Sequence, residues 1–345
     1  MKTAQNRLGE GPLLDARGHL DRAGYDTALV RRYDRRAIAA PWWRVKEWDY
    51  YLITCPRFAV ALTIADNGYM GLESVSLLDF ERRAEHTQSP MRLLPRGKTG
   101  LPASSLSGDV AVRRKTYSLS FQNDGVTRRL TAHLDDFKDK KPIDVDLTLT
   151  DPPRDSMVIA TPFAGRPDHF YYNQKINCLR ASGVCRFDGR EYVFDPAEAT
   201  AVLDWGRGVW TYRNTWYWGS GSGWSAGHLV GWNLGYGFGD TSCASENMLF
   251  VDGVAHKLDR VTFHIPQHDG MDDFLSPWRI DDNEGRVSLT FTPVLDRKSC
   301  TDAGIIASDQ HQVFGFFDGF FVMDGGVKMP IRHFLAFAEK VKNKW

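Results

Sequence analysis

The chain has 345 residues, of which 42% are hydrophobic and 25% charged, and these are ordinary values for a globular protein. Lys plus Arg equals Asp plus Glu at 43 each, which argues against a nucleic-acid binder because such proteins need net positive charge. No apolar run approaches the roughly 20 residues of a membrane-spanning helix, so no integral membrane segment is predicted. The polar first ten residues lack a signal-peptide core, which predicts a cytoplasmic protein.

Most of the chain is predicted to form short strands joined by tight turns. Residues 24–38 are a weak helix candidate. An apolar strand at 58–65 is followed by the turn Asp66-Asn67-Gly68 and a returning strand at 69–78. Further strand pairs and Asp-Gly turns recur to the end of the chain. Many strands with regularly spaced turn signals predict an all-β fold of antiparallel barrels or sandwiches.

The residue types that could hold a metal do not form a recognisable site. The five cysteines are scattered, odd in number and without a Cys-x-x-Cys pair, which favours reduced thiols. The segment 264–273 contains two histidines and three aspartates, but its spacing matches no standard zinc motif. No metal and no other cofactor is therefore predicted.

The segment 169–177 carries candidate binding residues on both faces of a predicted strand. Alternation places His169, Asn173 and Lys175 on one face and Tyr172 on the other. The first face is polar, which fits either the wall of a pocket or a surface in water. Binary patterning does not distinguish these two alternatives.

The segment 202–208 supplies the candidate catalytic residue, Asp204. Its glycines, Gly206 and Gly208, suggest a bulged strand. A carboxyl beside indole rings loses hydration, so its pKa rises unless Arg207 or Arg213 pairs with it, and a raised pKa suits a general acid. The alternative is an Asp–Arg pair that only orders the turn.

Six of the eleven tryptophans lie between residues 201 and 232. This stretch is too rich in glycine for a helix and too aromatic for a disordered loop, so it predicts the wall of an apolar cavity. Trp210, Tyr212, Trp216 and Trp218 would share one strand face, and with Arg207 they are the further candidate binding residues.

These segments, in this order, resemble a family catalogued as domain of unknown function 2804. The resemblance covers nearly the whole chain, and its Trp-rich block is specific. It is carried by Tyr171-Tyr-Asn-Gln-Lys-Ile-Asn-Cys178, Val202-Leu-Asp-Trp-Gly-Arg-Gly-Val-Trp210, Trp216-Tyr-Trp-Gly-Ser220, Phe274-Leu-Ser-Pro-Trp-Arg-Ile280 and residues 339–345.

More distantly, the layout is similar to the two-lipocalin-domain group, which includes carotenoid 1,2-hydratases and lipocalin-like Diels–Alderases. This resemblance implies two lipocalin-like antiparallel β-barrels packed side by side. With the polar stretch 235–247 as boundary, we expect an extension at 1–30, a first barrel at 31–240 and a second at 241–345. Residues 334–345 have helical spacing, whereas the resemblance implies a closing strand there.

The hydratases of that group carry a Tyr-x-Asp-x-Asn-x-Gly stretch whose acid protonates an alkene. Here Asp204 and Gly208 match this pattern, while Val202 replaces the Tyr and Gly206 replaces the Asn. The resemblance thus implies a cofactor-free hydratase, isomerase or cyclase that uses Asp204 on a small hydrophobic, lipid- or isoprenoid-like molecule. The alternative is a non-catalytic carrier with the same cavity.

Overall fold

The computed structural model describes residues 5–302, 304 and 307–344, and most of them are in strands. The described helices are two single 3-10 turns, Arg35–Ala37 and Trp42–Arg44. In chain order the strands are β1 (Gly11–Pro12), β2 (Gly24–Asp26), β3 (Arg31–Arg32), β4 (Val45–Thr54), β5 (Phe58–Asp66), β6 (Met70–Asp79), β7 (Ala84–Gln88), β8 (Met91–Leu93), β9 (Val110–Arg113), β10 (Tyr117–Asn123), β11 (Arg128–Lys138), β12 (Lys141–Thr150), β13 (Met157–Phe163), β14 (Arg166–Phe187), β15 (Arg190–Phe194), β16 (Thr200–Val209), β17 (Arg213–Ser225), β18 (His228–Tyr236), β19 (Met248–Val251), β20 (Val254–Lys257), β21 (Val261–His264), β22 (Gln267–His268), β23 (Met271–Asp272), β24 (Trp278–Asp282), β25 (Val287–Asp302), β26 (Ala307–Val322) and β27 (Lys328–Lys344).

The first large sheet is antiparallel and has fourteen strands. Its main path is β7-β6-β5-β4-β16-β14-β12-β11-β10-β9, and β2, β8, β13 and β15 attach beside that path. The sheet curls until His86 of β7 lies against β11, where its Nε2 is 2.7 Å from the carbonyl oxygen of Phe137. The curled sheet encloses an apolar core that includes Val60, Leu119 and Trp205.

The second large sheet has nine strands in the order β20-β19-β18-β17-β27-β26-β25-β24-β21. It curls in the same way. The hydroxyl of Tyr236, at the end of β18, accepts a hydrogen bond from the backbone N–H of Phe263 in β21 (3.2 Å). Its interior is filled by aromatic rings, among them Trp232 and Phe317, whose centroids are 5.5 Å apart.

The two barrels pack side by side through the outer faces of β4, β5 and β16 in the first and of β26 and β27 in the second. Leu52 and Val202 from the first barrel meet Phe314 and Phe337 from the second in one buried cluster. Every residue of β16 is consequently buried, since one face lines the first barrel and the other is covered by the second. The all-β, two-barrel architecture predicted from the sequence is confirmed.

One local prediction is wrong, one is confirmed, and one boundary differs. Residues 24–38 contain β2, β3 and a 3-10 turn, so this segment is not an α-helix. Residues 334–344 belong to β27, which confirms the closing strand that the resemblance implies, against the helical spacing. Trp345, the last residue of that helical spacing, lies outside the described residues. The chain passes from the first sheet to the second between Val209 and Arg213, earlier than the boundary expected at residue 240.

Candidate functional site

The two faces of β16 send neighbouring candidate residues into different parts of the molecule. Trp205 and Arg207 point into the first barrel, while Val202 and Asp204 point toward the second. Alternation along an extended strand produces this separation. The sequence hypothesis that Arg207 or Arg213 pairs with Asp204 is therefore wrong, because Arg207 lies on the opposite face and Arg213 is exposed in the second sheet.

Asp204 is bound instead by two side chains of the neighbouring strand β14. Lys175 Nζ lies 3.0 Å from Oδ2 of Asp204, and Asn173 Nδ2 donates to Oδ1 at 2.6 Å. The Asp204 side chain is 10% exposed and that of Lys175 is 4% exposed. This is a buried ion pair with an added amide donor, so the polar face predicted for 169–177 faces protein and not water.

Residues in register on each side of the barrel contact form what we call the interface cluster. It comprises Lys175, Asp204 and Tyr50 of the first barrel and Trp218, Glu339 and Gln312 of the second. Lys175 Nζ is 3.8 Å from the ring centroid of Trp218, and the Tyr50 hydroxyl donates to Gln312 Oε1 at 3.4 Å. The cluster therefore joins both barrels through polar contacts.

Glu339 is the carboxyl of the cluster on the second barrel, and it is 3% exposed. Trp216 Nε1 donates to its Oε1 at 2.9 Å, and Gln312 Nε2 donates to its Oε2 at 3.1 Å. Burial raises the pKa of Glu339 to about 7, although the Trp216 bond and the Lys175 charge act in the opposite direction. Close to neutral pH this carboxyl can therefore hold or release a proton.

A second buried acid, Glu246, lies beyond Trp218. Trp218 Nε1 donates to Asn233 Oδ1 at 2.7 Å, and Asn233 Nδ2 donates to Glu246 Oε2 at 3.1 Å. Burial raises the pKa of Glu246, opposed mainly by the Lys175 charge. One ammonium group thus acts on three buried carboxyls.

Glu246 and Glu339 are site residues that sequence patterns did not predict. In β27, Leu335 and Phe337 pack in the contact between the barrels, and Glu339 continues their face. An acid in an otherwise apolar strand face is a signal of a buried site. The helical spacing of 334–345 hid that signal, because Glu339 occupies no special position on a helix.

The tryptophans of 201–232 do not wall a single cavity. Trp205 lies inside the first barrel and Trp232 inside the second. Trp210, Trp216 and Trp218 lie between the barrels, and Trp224 is 46% exposed. A cavity of about 20 Å³ lies in the barrel contact, lined by Val202, Ser220 and Phe337 among others. That volume is about enough for one water molecule.

Gly206 explains how the rings pack so closely beside Asp204. A Cβ atom at this position would lie 1.9 Å from Cζ2 of Trp48, so the indole occupies the space of the missing side chain. The Trp48 ring in turn packs edge-on against Trp210 at 5.2 Å and stacks on Tyr171 at 6.2 Å. The position that is Asn in the hydratase pattern is thus filled here by an aromatic ring.

Tyr172 and Arg207 lie inside the first barrel, away from the interface cluster. The Tyr172 hydroxyl donates to the Arg31 carbonyl oxygen at 2.8 Å. Arg207 is fully buried, pairs with Asp49 at 3.0 Å and lies 4.3 Å from the Trp205 ring. Burial raises the pKa of Asp49, and Arg207 opposes that effect.

The last two predicted binding residues lie at the edges of the site. His169 is buried, with its Nδ1 2.9 Å from Asp168, and burial lowers its pKa despite that neighbour. Tyr212 is 38% exposed in the link between the barrels. The structure therefore brings Asn173, Lys175 and Asp204 together with Trp216 and Trp218. Trp210 adjoins this group through Trp216, at 6.3 Å between ring centroids, and the other predicted residues lie apart from it.

Comparison with known proteins identifies the family and the fold. The model of the family described as Domain of unknown function (DUF2804) matches residues 4–345. None of the curated proteins matches this sequence. A crystal structure from Nitrosomonas europaea, described provisionally as AttH, aligns with a TM-score of 0.55 and 13% identity, covering 97% of this chain and 99% of that one.

Two further solved structures are similar over nearly their full lengths. CghA with Sch210972 aligns with a TM-score of 0.51 and 11% identity, covering 96% of this chain and 97% of that one. Kievitone hydratase from Nectria haematococca aligns with a TM-score of 0.48 and 10% identity, covering 97% of this chain and 98% of that one. This TM-score is too low to bear on the fold. The lipocalin-like architecture predicted from the sequence is confirmed. Among the described residues, no helix is long and apolar enough to cross a membrane.

Proposed function

The chain belongs to the DUF2804 family, and from this premise we propose that it binds a small hydrophobic molecule between its barrels and transfers a proton at the interface cluster. The observation that carries the proposal is the pair of carboxyls, Asp204 and Glu339, buried in one cluster with a single lysine. Two carboxyls in different environments are a recurrent arrangement for acid and base roles.

The contacts divide the roles between the two carboxyls. Glu339, whose pKa burial raises to about 7, is the proton donor, because about half of it is protonated at neutral pH. Asp204, which the sequence analysis put forward as the acid, is paired with Lys175 and serves as the charged carboxylate that orients the lysine and balances a cation. Asn173 holds the Asp204 carboxylate in place.

The aromatic side chains of the cluster suit a substrate that becomes positively charged. Lys175 already lies 3.8 Å from the centroid of Trp218, so this ring faces a cation. Trp216 and Trp218 would stabilise a carbocation-like state in the same way. The cavity of about 20 Å³ is reached through Phe337, which lines it and packs edge-on against Trp218 at 4.7 Å. It is the starting point for a ligand, which has to displace side chains in the barrel contact to enter.

A second candidate function is non-catalytic binding of the same ligand class. The observation that favours it is that both carboxyls have their polar partners within the protein, as expected for a cluster that only joins the barrels. CghA, which shares the fold, was crystallised with Sch210972, and a ligand site in this fold agrees with either function.

The two functions are separated by exchanging Glu339 for an amide of the same shape. Small molecules that co-purify with the protein are identified by mass spectrometry, and the bound compound is then incubated with protein in heavy water. Under the enzyme proposal the wild type incorporates deuterium or converts the compound, while Glu339→Gln binds it without turnover. The matched control is Glu191→Gln, an exposed carboxyl on β15, which should behave as wild type.

Binding itself is measured by quenching of tryptophan fluorescence with a panel of apolar ligands. Trp218→Phe should weaken the quenching, whereas Trp224→Phe, on the exposed side of the second barrel, should not. If no ligand co-purifies and none quenches the wild type, both functions fall. If Glu339→Gln turns the compound over at the wild-type rate, Glu339 is not the proton donor. If the wild type binds the compound but neither converts it nor incorporates deuterium, the carrier function replaces the enzyme proposal.

A further inference from the structure

Large apolar side chains are exposed together at one end of the first barrel. Trp43 is 48% exposed and Leu93 is 87% exposed, although side chains of this kind are usually buried. We define the barrel-end patch as Trp42, Trp43, Met91, Leu93 and Leu94, all of which are exposed. An exposed apolar group of this size marks an interaction site more often than isolated surface residues do.

The residues of the patch are held together by the turn between β5 and β6. A Cβ atom at Gly68 would lie 2.4 Å from the carbonyl oxygen of Trp42, so the 3-10 turn Trp42–Arg44 touches the β5–β6 turn. On the other side, the backbone N–H of Leu94 donates to the Tyr69 oxygen at 2.9 Å, and Leu93 pairs with Met70. The patch is therefore continuous, although it comes from two separate segments.

Positive charges accompany the patch. Arg44 ends the 3-10 turn, and Arg96 and Lys98 are exposed immediately after Leu94. The Arg96 guanidinium lies 4.8 Å from the ring of Trp42. None of these three cations forms an ion pair with an acid in the part of the chain that the structure describes. Because the whole chain has a formal charge of zero, this excess is local to the patch.

We propose that the barrel-end patch docks on an anionic lipid surface. Indole rings favour the region between headgroups and hydrocarbon, leucine side chains enter the hydrocarbon, and unpaired lysines and arginines attract anionic headgroups. The barrel-end patch supplies the indole rings and the leucine side chains, and the three adjacent cations supply the positive charge. The unpaired cations next to the apolar side chains favour an anionic bilayer over a neutral apolar partner.

The barrel-end patch lies beside a surface cleft. A cleft of about 470 Å³ opens at the same end of the barrel, lined by Arg35 and Glu47 on one side and by Gly97 and Leu101 on the other. Gly97 lies between Arg96 and Lys98, so the patch borders the cleft. A molecule leaving the lipid surface would therefore meet this cleft. The docking itself does not depend on the function proposed above.

The test is sedimentation of the full chain with vesicles of phosphatidylcholine, with or without phosphatidylglycerol at about a third of the lipid. Wild type should bind the anionic vesicles at least about tenfold more tightly than the neutral ones, and Arg96→Ala with Lys98→Ala should lose about tenfold. Trp42→Ala with Trp43→Ala should also release the protein. Free glycerol phosphate should not compete if the bilayer, and not the phosphate group alone, is recognised.

Trp224 provides a matched control. It is 46% exposed, lies in the second barrel, and has the Arg180 guanidinium 5.3 Å from its ring, as Trp42 has Arg96. Trp224→Ala should bind as wild type does. Far-UV circular dichroism checks that each variant folds. If the double variant Trp42→Ala with Trp43→Ala does not fold, Leu93→Ser replaces it as the test of the apolar side chains. The proposal is overturned if wild type fails to bind anionic vesicles, or if Trp224→Ala loses as much binding as the patch variants.

Discussion

Replacing Glu339 by glutamine tests whether burial holds this carboxyl in its neutral form. The pKa of Glu339 rises from its ordinary value of 4.5 to about 7, and burial is the main cause. Glutamine preserves the shape of the side chain and the oxygen that accepts from Trp216 Nε1, but it cannot titrate. The substitution therefore removes the proton equilibrium without opening a cavity.

The sign and size of the effect follow from the two pKa values. A raised carboxyl pKa stabilises the folded state fully below pH 4.5, and this contribution is lost as the pH rises through about 7. The interval between these values, at about 1.4 kcal/mol for each pKa unit, corresponds to about 3 kcal/mol. The free energy of unfolding of wild type should therefore fall by about 3 kcal/mol relative to Glu339→Gln over this range.

The assay is urea unfolding of both proteins at a series of pH values between about 4.5 and 8, followed by tryptophan fluorescence. Glu191→Gln, at an exposed position, should give a curve parallel to wild type. Parallel curves for wild type and Glu339→Gln would contradict the raised pKa, because Glu339 would then titrate alike in the folded and unfolded chains.

Three further predictions concern stability and reactivity. Asp204→Asn leaves Lys175 buried without its carboxylate, so the free energy of unfolding in urea should fall by about 3–5 kcal/mol. Adding Lys175→Met should restore part of the loss. An unchanged urea midpoint for Asp204→Asn would show that the ion pair does not contribute to stability. Gly206→Ala should lower the free energy of unfolding by about 1–3 kcal/mol, because the new Cβ atom would overlap the indole ring of Trp48. The matched control is Gly325→Ala, whose Cβ atom would have no neighbouring atom within 4 Å, and it should melt at the wild-type temperature. Cys300 is exposed and should react with Ellman's reagent in the folded protein, whereas the three buried cysteines should react only on unfolding, and equal rates for all would contradict the burial.

The pattern of turns made the fold class predictable from the sequence. The Asp66-Asn67-Gly68 turn joins β5 and β6 as expected, because such residues tolerate the backbone angles of a tight turn whatever surrounds them. The C-terminal strand was less accessible to periodicity. In β27 one face lines the second barrel and the other meets the first, so the alternation that marks a half-exposed strand is lost.

Part of the candidate site was likewise predictable from the sequence and part was not. Residue type alone singled out Asp204 and the tryptophans, since an acid among indoles is unusual in any fold. Its partner is Lys175, which reaches Asp204 only through the pairing of β14 with β16. Arg207 is nearer in sequence, but three positions along a strand put it on the opposite face.

Local chemistry thus determined the turns, the strands and the unusual residues of this protein, because each depends on neighbours within a few positions. The barrel contact decided which strand face became the interface cluster, and it brought in Glu339 from the far end of the chain. Burial against a distant surface, which sets both the partners and the pKa of a carboxyl, is a property of the assembled fold and is not encoded in any short stretch of sequence.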